Sequence, residues 1–197
     1  MKRPFLIMAF LLSAMLIFAS CEETPNDVND DKEQSRVLVV YFSCTGTTKR
    51  LAEYAADILV AGIHEIVPEV PYTSADLNYS NDDCRANREQ NNPSARPAIK
   101  NGMENMEKYD VILLGYPIWW GQAPKIIYTF LETYDFSGKT IVPFCTSGSS
   151  GIGTSDTNLH ALAPGINWMS GRRFSGSETK NGISQWIESL NVNSKNQ

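Results

Sequence analysis

Four hydroxyl side chains and a glycine fall within six consecutive residues at Ser43-Cys44-Thr45-Gly46-Thr47-Thr48. Hydroxyls of Ser43, Thr45, Thr47 and Thr48 can each donate to an oxyanion, and Gly46 permits a sharp bend and close approach. An apolar run precedes the loop and a helical pattern follows it. Free backbone N–H groups and the positive end of a helix dipole therefore converge on one spot, where a single phosphate would fit without Lys or Arg. The triphosphate pattern Gly-x-x-x-x-Gly-Lys-Ser/Thr and the dinucleotide pattern Gly-x-Gly-x-x-Gly are both missing from this turn. Read alone, the loop could equally be a helix cap.

Two further loops favour a ligand. Gly115-Tyr116-Pro117-Ile118-Trp119-Trp120-Gly121-Gln122 leaves aromatic rings where a buried strand meets solvent. Rings placed there can cover the faces of a planar heterocycle, each adding about 1 kcal/mol beyond area burial, or they can plug the end of the sheet. Trp119 or Trp120 is the stacking candidate, with Pro117, Ile118 and Gly121 beside it. Gly121 would also let the Trp120–Gly121 peptide reorient cheaply. Thr146-Ser147-Gly148-Ser149-Ser150-Gly151-Ile152-Gly153 combines glycines and hydroxyls so that backbone donors can wrap a ring; Thr146, Ser147, Gly148, Ser149 and Gly151 are its candidate contacts.

The elements that must carry these loops alternate between strand and helix. Val37 to Phe42 is apolar and β-branched without alternation, as a strand covered on both faces should be. From Thr47 the spacing is helical through Leu59, with Gly62 as the stop. Ile63 to Val67 is a second strand. A long polar stretch framed by Pro68, Pro71, Pro93 and Pro97 has room for a short helix. Val111 to Gly115, Thr140 to Cys145 and Ile166 to Phe174 read as strands. Pro124 to Tyr134, Thr154 to Leu162 and Thr179 to Leu190 read as helices, Pro124 falling near a first turn where its missing N–H does no harm. Such a rhythm implies a parallel sheet with right-handed crossovers, binding its ligand beyond the carboxyl ends of the strands.

The loop Ser43 to Thr48 resembles the flavodoxin pattern Ser/Thr-x-Thr-Gly-x-Thr. The runs Tyr116 to Gly121 and Phe144 to Gly148 resemble a flavodoxin subgroup carrying Tyr-Pro-Ile-Trp-Trp-Gly and Phe-Cys-Thr-Ser-Gly. The resemblance implies an α/β three-layer sandwich with a five-stranded parallel sheet of order 2-1-3-4-5 and helices on both faces. It implies flavin mononucleotide (FMN) as cofactor, with phosphate, one ring face and pyrimidine edge gripped by the loops after the first, third and fourth strands. An electron-transfer protein is the expectation, acting on a redox partner protein or a small quinone-like acceptor. The alternatives are an FMN-dependent NAD(P)H:quinone-type oxidoreductase and a tethered binding module without flavin. The resemblance to flavodoxins leaves the stretch from Asp82 to Pro97 longer than a simple connection, and the fifth strand lacks the large insertion of long-chain members.

Ahead of this domain, Lys2 and Arg3 precede an apolar run from Phe5 to Phe18 and then Ala19-Ser20-Cys21. The run is short for a permanent anchor, which needs about 20 residues, and small residues before a cysteine are the pattern of a bacterial lipoprotein signal. Expected divisions are therefore a signal peptide over 1–20, an acidic flexible tether over 21–35, the FMN-binding domain over 36–192 and a tail over 193–197. Cys21 would carry lipid, holding the protein at the cell envelope by that anchor alone. Loss of Lys2 and Arg3 takes the formal charge from -5 to -7, which disfavours nucleic acid.

Cys44 and Cys145, on the first and fourth strands of that order, should lie about 9.6 Å apart, beyond disulfide reach. Cys84 has no evident partner. His64 and His160 lack metal-ligand spacing. Arg85 and Arg88 read as solvated partners of Asp83 or Glu89.

Overall fold

The computed structural model describes residues 36–192. The expected signal, Cys21, tether and tail lie outside the described residues. Strand β1 (Val37–Tyr41) leads to helix α1 (Thr47–Leu59) and strand β2 (Gly62–Glu65). After helix α2 (Arg85–Asn91) and a short 3-10 turn come β3 (Val111–Pro117), α3 (Lys125–Thr133), β4 (Thr140–Thr146) and α4 (Thr154–His160). Two short strands, β5 (Asn167–Trp168) and β6 (Arg172–Phe174), and helix α5 (Lys180–Leu190) complete the domain. Every strand pair is parallel and the order is β2-β1-β3-β4-β5, with β6 also on β4. This is the expected 2-1-3-4-5 sheet.

Alternate residues of the central strands feed two cores. Val37, Val39 and Tyr41 pack with Leu51, Ala55, Ile183 and Trp186 of α1 and α5, while Leu38, Val40 and Phe42 pack with Ile126, Ile127 and Phe130 of α3. Both faces of β1 are thus dry, which is why its sequence does not alternate.

Several boundaries differ from expectation. Helix α1 stops at Val60, not Gly62: Val60 takes φ 49° while its N–H reaches Asp57 O and the Ala61 N–H reaches Ala56 O at 3.0 Å, closing a Schellman motif on a β-branched residue. Gly62 instead opens β2. That strand ends early because the Asn101 side chain accepts from Val67 N (2.9 Å) and donates to Glu65 O (2.8 Å), taking the place of a neighbouring strand. The pairing of Pro68 with Ile99 then closes the neck of the long polar excursion.

The expected fifth strand, Ile166 to Phe174, is broken between Trp168 and Arg172. The N–H groups of Asn167 and Met169 donate to Lys139 O and Ile141 O, both at 2.9 Å, so odd-numbered residues of β4 face this strand. Pro143 is the next of them and has no N–H to offer. Residues 169–171 stand opposite 142–143, an extra residue that restores pairing at Phe144 with Arg172. At Gly171 a Cβ would lie 2.4 Å from the Ile152 side chain, so the break also seats the loop after β4.

Candidate functional site

The loops after β1, β3 and β4 meet at the carboxyl edge of the sheet. Gly46 is the N-cap of α1, at φ 82°, and no side chain among the described residues caps that helix. Space around Gly46 is open, and a Cβ added there would meet nothing within 4 Å; the backbone angle, rather than close approach, requires glycine here. Its N–H bonds to Ser43 Oγ at 3.1 Å, and the first intrahelical bond of the cap runs from Arg50 N to Gly46 O at 3.0 Å. The N–H groups of Cys44, Thr45, Thr47 and Thr48 have no partner within the described residues, and Thr45 and Thr47 turn their hydroxyls toward each other at 3.5 Å. Donors without acceptors at a helix amino end describe an oxyanion site.

Thr48 and Thr146 are placed differently from the other candidates. Both are buried, and their hydroxyls bond each other at 2.7 Å, bracing the first turn of α1 against the end of β4.

The aromatic loop is a two-residue hairpin turn. Trp119 N donates to Gln122 O and Gln122 N to Trp119 O, both at 2.9 Å, with φ 44° at Trp120 and 75° at Gly121, the signature of a type I′ turn. Trp119 is buried, edge-on to Phe42 (5.5 Å) and Tyr72 (5.1 Å), and so is a core residue rather than a stacking face. Trp120 is half-buried, lying flat against Tyr79 at 4.1 Å and 13°. Of the two indoles, Trp120 is the one available to a ligand. Reorienting the Trp120–Gly121 peptide would also rotate ψ of Trp120, which at φ 44° is confined to the left-handed well. The ease expected from Gly121 is therefore opposed by its neighbour. Pro117 and Ile118 prolong the β3–β4 ladder, Ile118 N donating to Thr146 O at 3.0 Å.

After β4, Ser147 is half-buried while Gly148, Ser149 and Gly151 are exposed. This loop is tied to β3 by a buried relay in which Tyr116 Oη and Ser155 Oγ lie 3.2 Å apart and Ser155 Oγ donates to Ile152 O at 2.6 Å. Burial raises the Tyr116 pKa, so its phenol stays protonated. Gln122 links the aromatic turn to α4, accepting from Asn158 Nδ2 at 2.7 Å and donating to Thr154 Oγ1 at 3.3 Å.

The excursion between β2 and β3 supplies residues that local sequence did not mark. Gln90 Nε2 donates to Trp119 O (2.8 Å) and Ala123 O (3.3 Å), and Tyr79 donates to Ile118 O (3.2 Å), so the excursion clamps the aromatic turn. Arg85 pairs with Glu89 at 2.7 Å as expected, but partly buried rather than solvated, over the Tyr72 ring and with Tyr72 Oη donating to Glu89. Arg88 donates to the carbonyl of Asp83.

Cys44, Cys84 and Cys145 are free thiols. Burial pushes the Cys145 pKa up to about 12 against the opposing charge of Arg173, and desolvation raises that of Cys44 to about 12 although the residue is exposed. Neither is a thiolate at neutral pH. His160 stacks on Trp168 at 4.5 Å, burial lowers the His64 pKa, and among the described residues no cluster of His, Cys, Asp or Glu is placed to hold a metal. A cavity of about 290 Å³ lies between the carboxyl ends of α3 and α4, lined by Tyr134, Phe136, Leu162 and Ile166, at the opposite edge of the sheet from the three loops.

A family model for flavodoxins matches residues 36–190. The chain belongs to the flavodoxin family. No curated protein matches it. Among solved structures, a protein from Bacteroides eggerthii assigned as a flavoprotein is 46% identical, with a TM-score of 0.75 over 80% of this chain and 98% of its own. One from Bacteroides uniformis, assigned likewise, is 41% identical with a TM-score of 0.75 over 79% and 99%. A Lactobacillus acidophilus flavoprotein, solved in complex with FMN, shares 23% identity and a TM-score of 0.60 over 78% and 99%, a likeness of fold. In this flavodoxin fold the hydroxyl loop, the aromatic turn and the glycine loop occupy one edge.

Proposed function

We propose that this flavodoxin binds FMN between the three loops and serves as an electron-transfer protein at the cell envelope. The observation that carries the reading is the amino end of α1, where four N–H groups lack partners within the described residues beside the Ser43, Thr45 and Thr47 hydroxyls. Phosphate would complete that cap, and the residues present fit it. Trp120 would cover one ring face, and the N–H groups of the glycine loop would meet the polar edge. FMN supplies the redox chemistry when bound; the chain's part is to hold it, exclude water with Trp120 and Tyr79, and leave one edge open to a partner. The Lactobacillus acidophilus protein's complex with FMN supports the choice of flavin.

Titrating flavin-free protein with FMN should quench flavin fluorescence at one equivalent, with riboflavin binding more weakly for want of the phosphate. Unquenched fluorescence at micromolar protein would sink the reading. Rapid bleaching of bound flavin by NAD(P)H would instead make the protein a reductase.

Anchoring is the second part of the proposal, supported by the Ala19-Ser20-Cys21 sequence. Cells expressing the full chain should incorporate a clickable palmitate analogue into it, and Cys21→Ser should abolish the label. Equal labelling of the two would remove the lipid anchor.

A further inference from the structure

Arg173 lies on β6 in register with Cys145. Its neighbour Phe174 packs with Phe144 and Trp186 on one face of the sheet, so Arg173 projects from the other. From there one terminal nitrogen of the guanidinium donates to two successive carbonyls of the loop after β4, Ser147 O at 2.8 Å and Gly148 O at 2.7 Å. The Ser147 N–H is also turned inward, to Phe174 O at 3.2 Å.

Peptide units are planar and trans, so a carbonyl and the N–H of the following residue point in opposite directions. Holding Ser147 O inward turns the Gly148 N–H outward, and holding Gly148 O inward does the same for Ser149. Neither N–H has a partner within the described residues. Arg173 thereby produces two adjacent outward donors from a stretch rich in glycine, which would otherwise sample many orientations. Its own Nε is buried without a partner among the described residues. Asp156 is near enough that both residues act on Cys145, but it forms no ion pair with Arg173; its carboxylate accepts from Thr157 N at 2.8 Å. The guanidinium is committed to the loop carbonyls.

We propose that Arg173 is a positioning residue for flavin recognition: it presents the Gly148 and Ser149 N–H groups to the polar, carbonyl-bearing edge of the ring. This rests on the FMN reading above. Such a residue acts on the ring and not on the phosphate. Arg173→Gln should therefore weaken FMN and riboflavin by the same factor, about tenfold or 1.4 kcal/mol. Arg173→Lys, which keeps a charged donor beneath the loop, should restore part of that loss.

Hydrogen exchange on flavin-free protein tests the positioning separately. Amides of residues 147–153 should exchange faster in Arg173→Gln than in the parent, with those of Val111 to Leu114 unchanged. Equal exchange in the two proteins overturns the proposal whether or not flavin binds. A loss confined to FMN, with riboflavin affinity unchanged, overturns it too. A parent protein that binds neither flavin defeats the FMN reading and with it the ring-recognition role.

Discussion

Replacing Gly46 with valine is expected to weaken FMN binding roughly tenfold or more, about 1.4 kcal/mol, without unfolding the sheet. Gly46 holds φ 82° at the amino end of α1, a conformation that costs a β-branched residue the most. Because nothing lies within 4 Å of where its Cβ would be, the loss will report backbone angle and not collision. Gly46→Asn should fall between the two, since asparagine tolerates the left-handed region. Flavin fluorescence titration supplies the affinities, and urea unfolding of the flavin-free proteins shows that the fold persists. Unaltered affinity in folded Gly46→Val would refute the phosphate site at this turn.

Thr48→Val should lower the melting temperature of the flavin-free domain by about 5 °C, as expected for loss of about 2 kcal/mol in a domain of this size. The substitution keeps shape and removes one of two buried hydroxyls that bond each other between α1 and β4, leaving Thr146 Oγ1 without that partner. Thr146→Val should cost a similar amount for the same reason. The double variant should regain most of the stability, because a matched apolar pair has no unmet polar group. A thermal-melting double-mutant cycle measures the coupling. Additive losses would show that the two hydroxyls are independent.

What could be read from sequence was whatever is local. The dry run Val37 to Tyr41 announced a central strand, and the hydroxyl, aromatic and glycine loops were found because each is contiguous and sits at a strand end. Order along the sheet followed from the alternation of strands and helices together with the flavodoxin resemblance. What escaped was contact at a distance. Nothing near Trp119 distinguishes it from Trp120; Tyr72 and Phe42, both far away in the chain, decide which indole is buried. The clamp from Gln90 and Tyr79, the Thr48–Thr146 pair and the Arg173 contacts likewise join residues 25 or more positions apart. The break in the fifth strand did have a local sign, Pro143, but it lies on the neighbouring strand. Its effect depends on which side of β4 the missing donor faces.

The cross-ties among the loops have a consequence for the protein's life in a cell. Thr48 with Thr146, Tyr116 with Ser155, Gln122 with α4 and Gln90 with Trp119 join the ligand edge to strands β3 and β4. A ligand that binds only the folded chain stabilises it by mass action, by about 2.7 kcal/mol at one hundred times its dissociation constant. Here that gain would be shared by the central sheet instead of stopping at a loop. Turnover would then track flavin supply: chains made during flavin shortage would be the first lost to proteases, and the amount of protein would match the cofactor available to fill it.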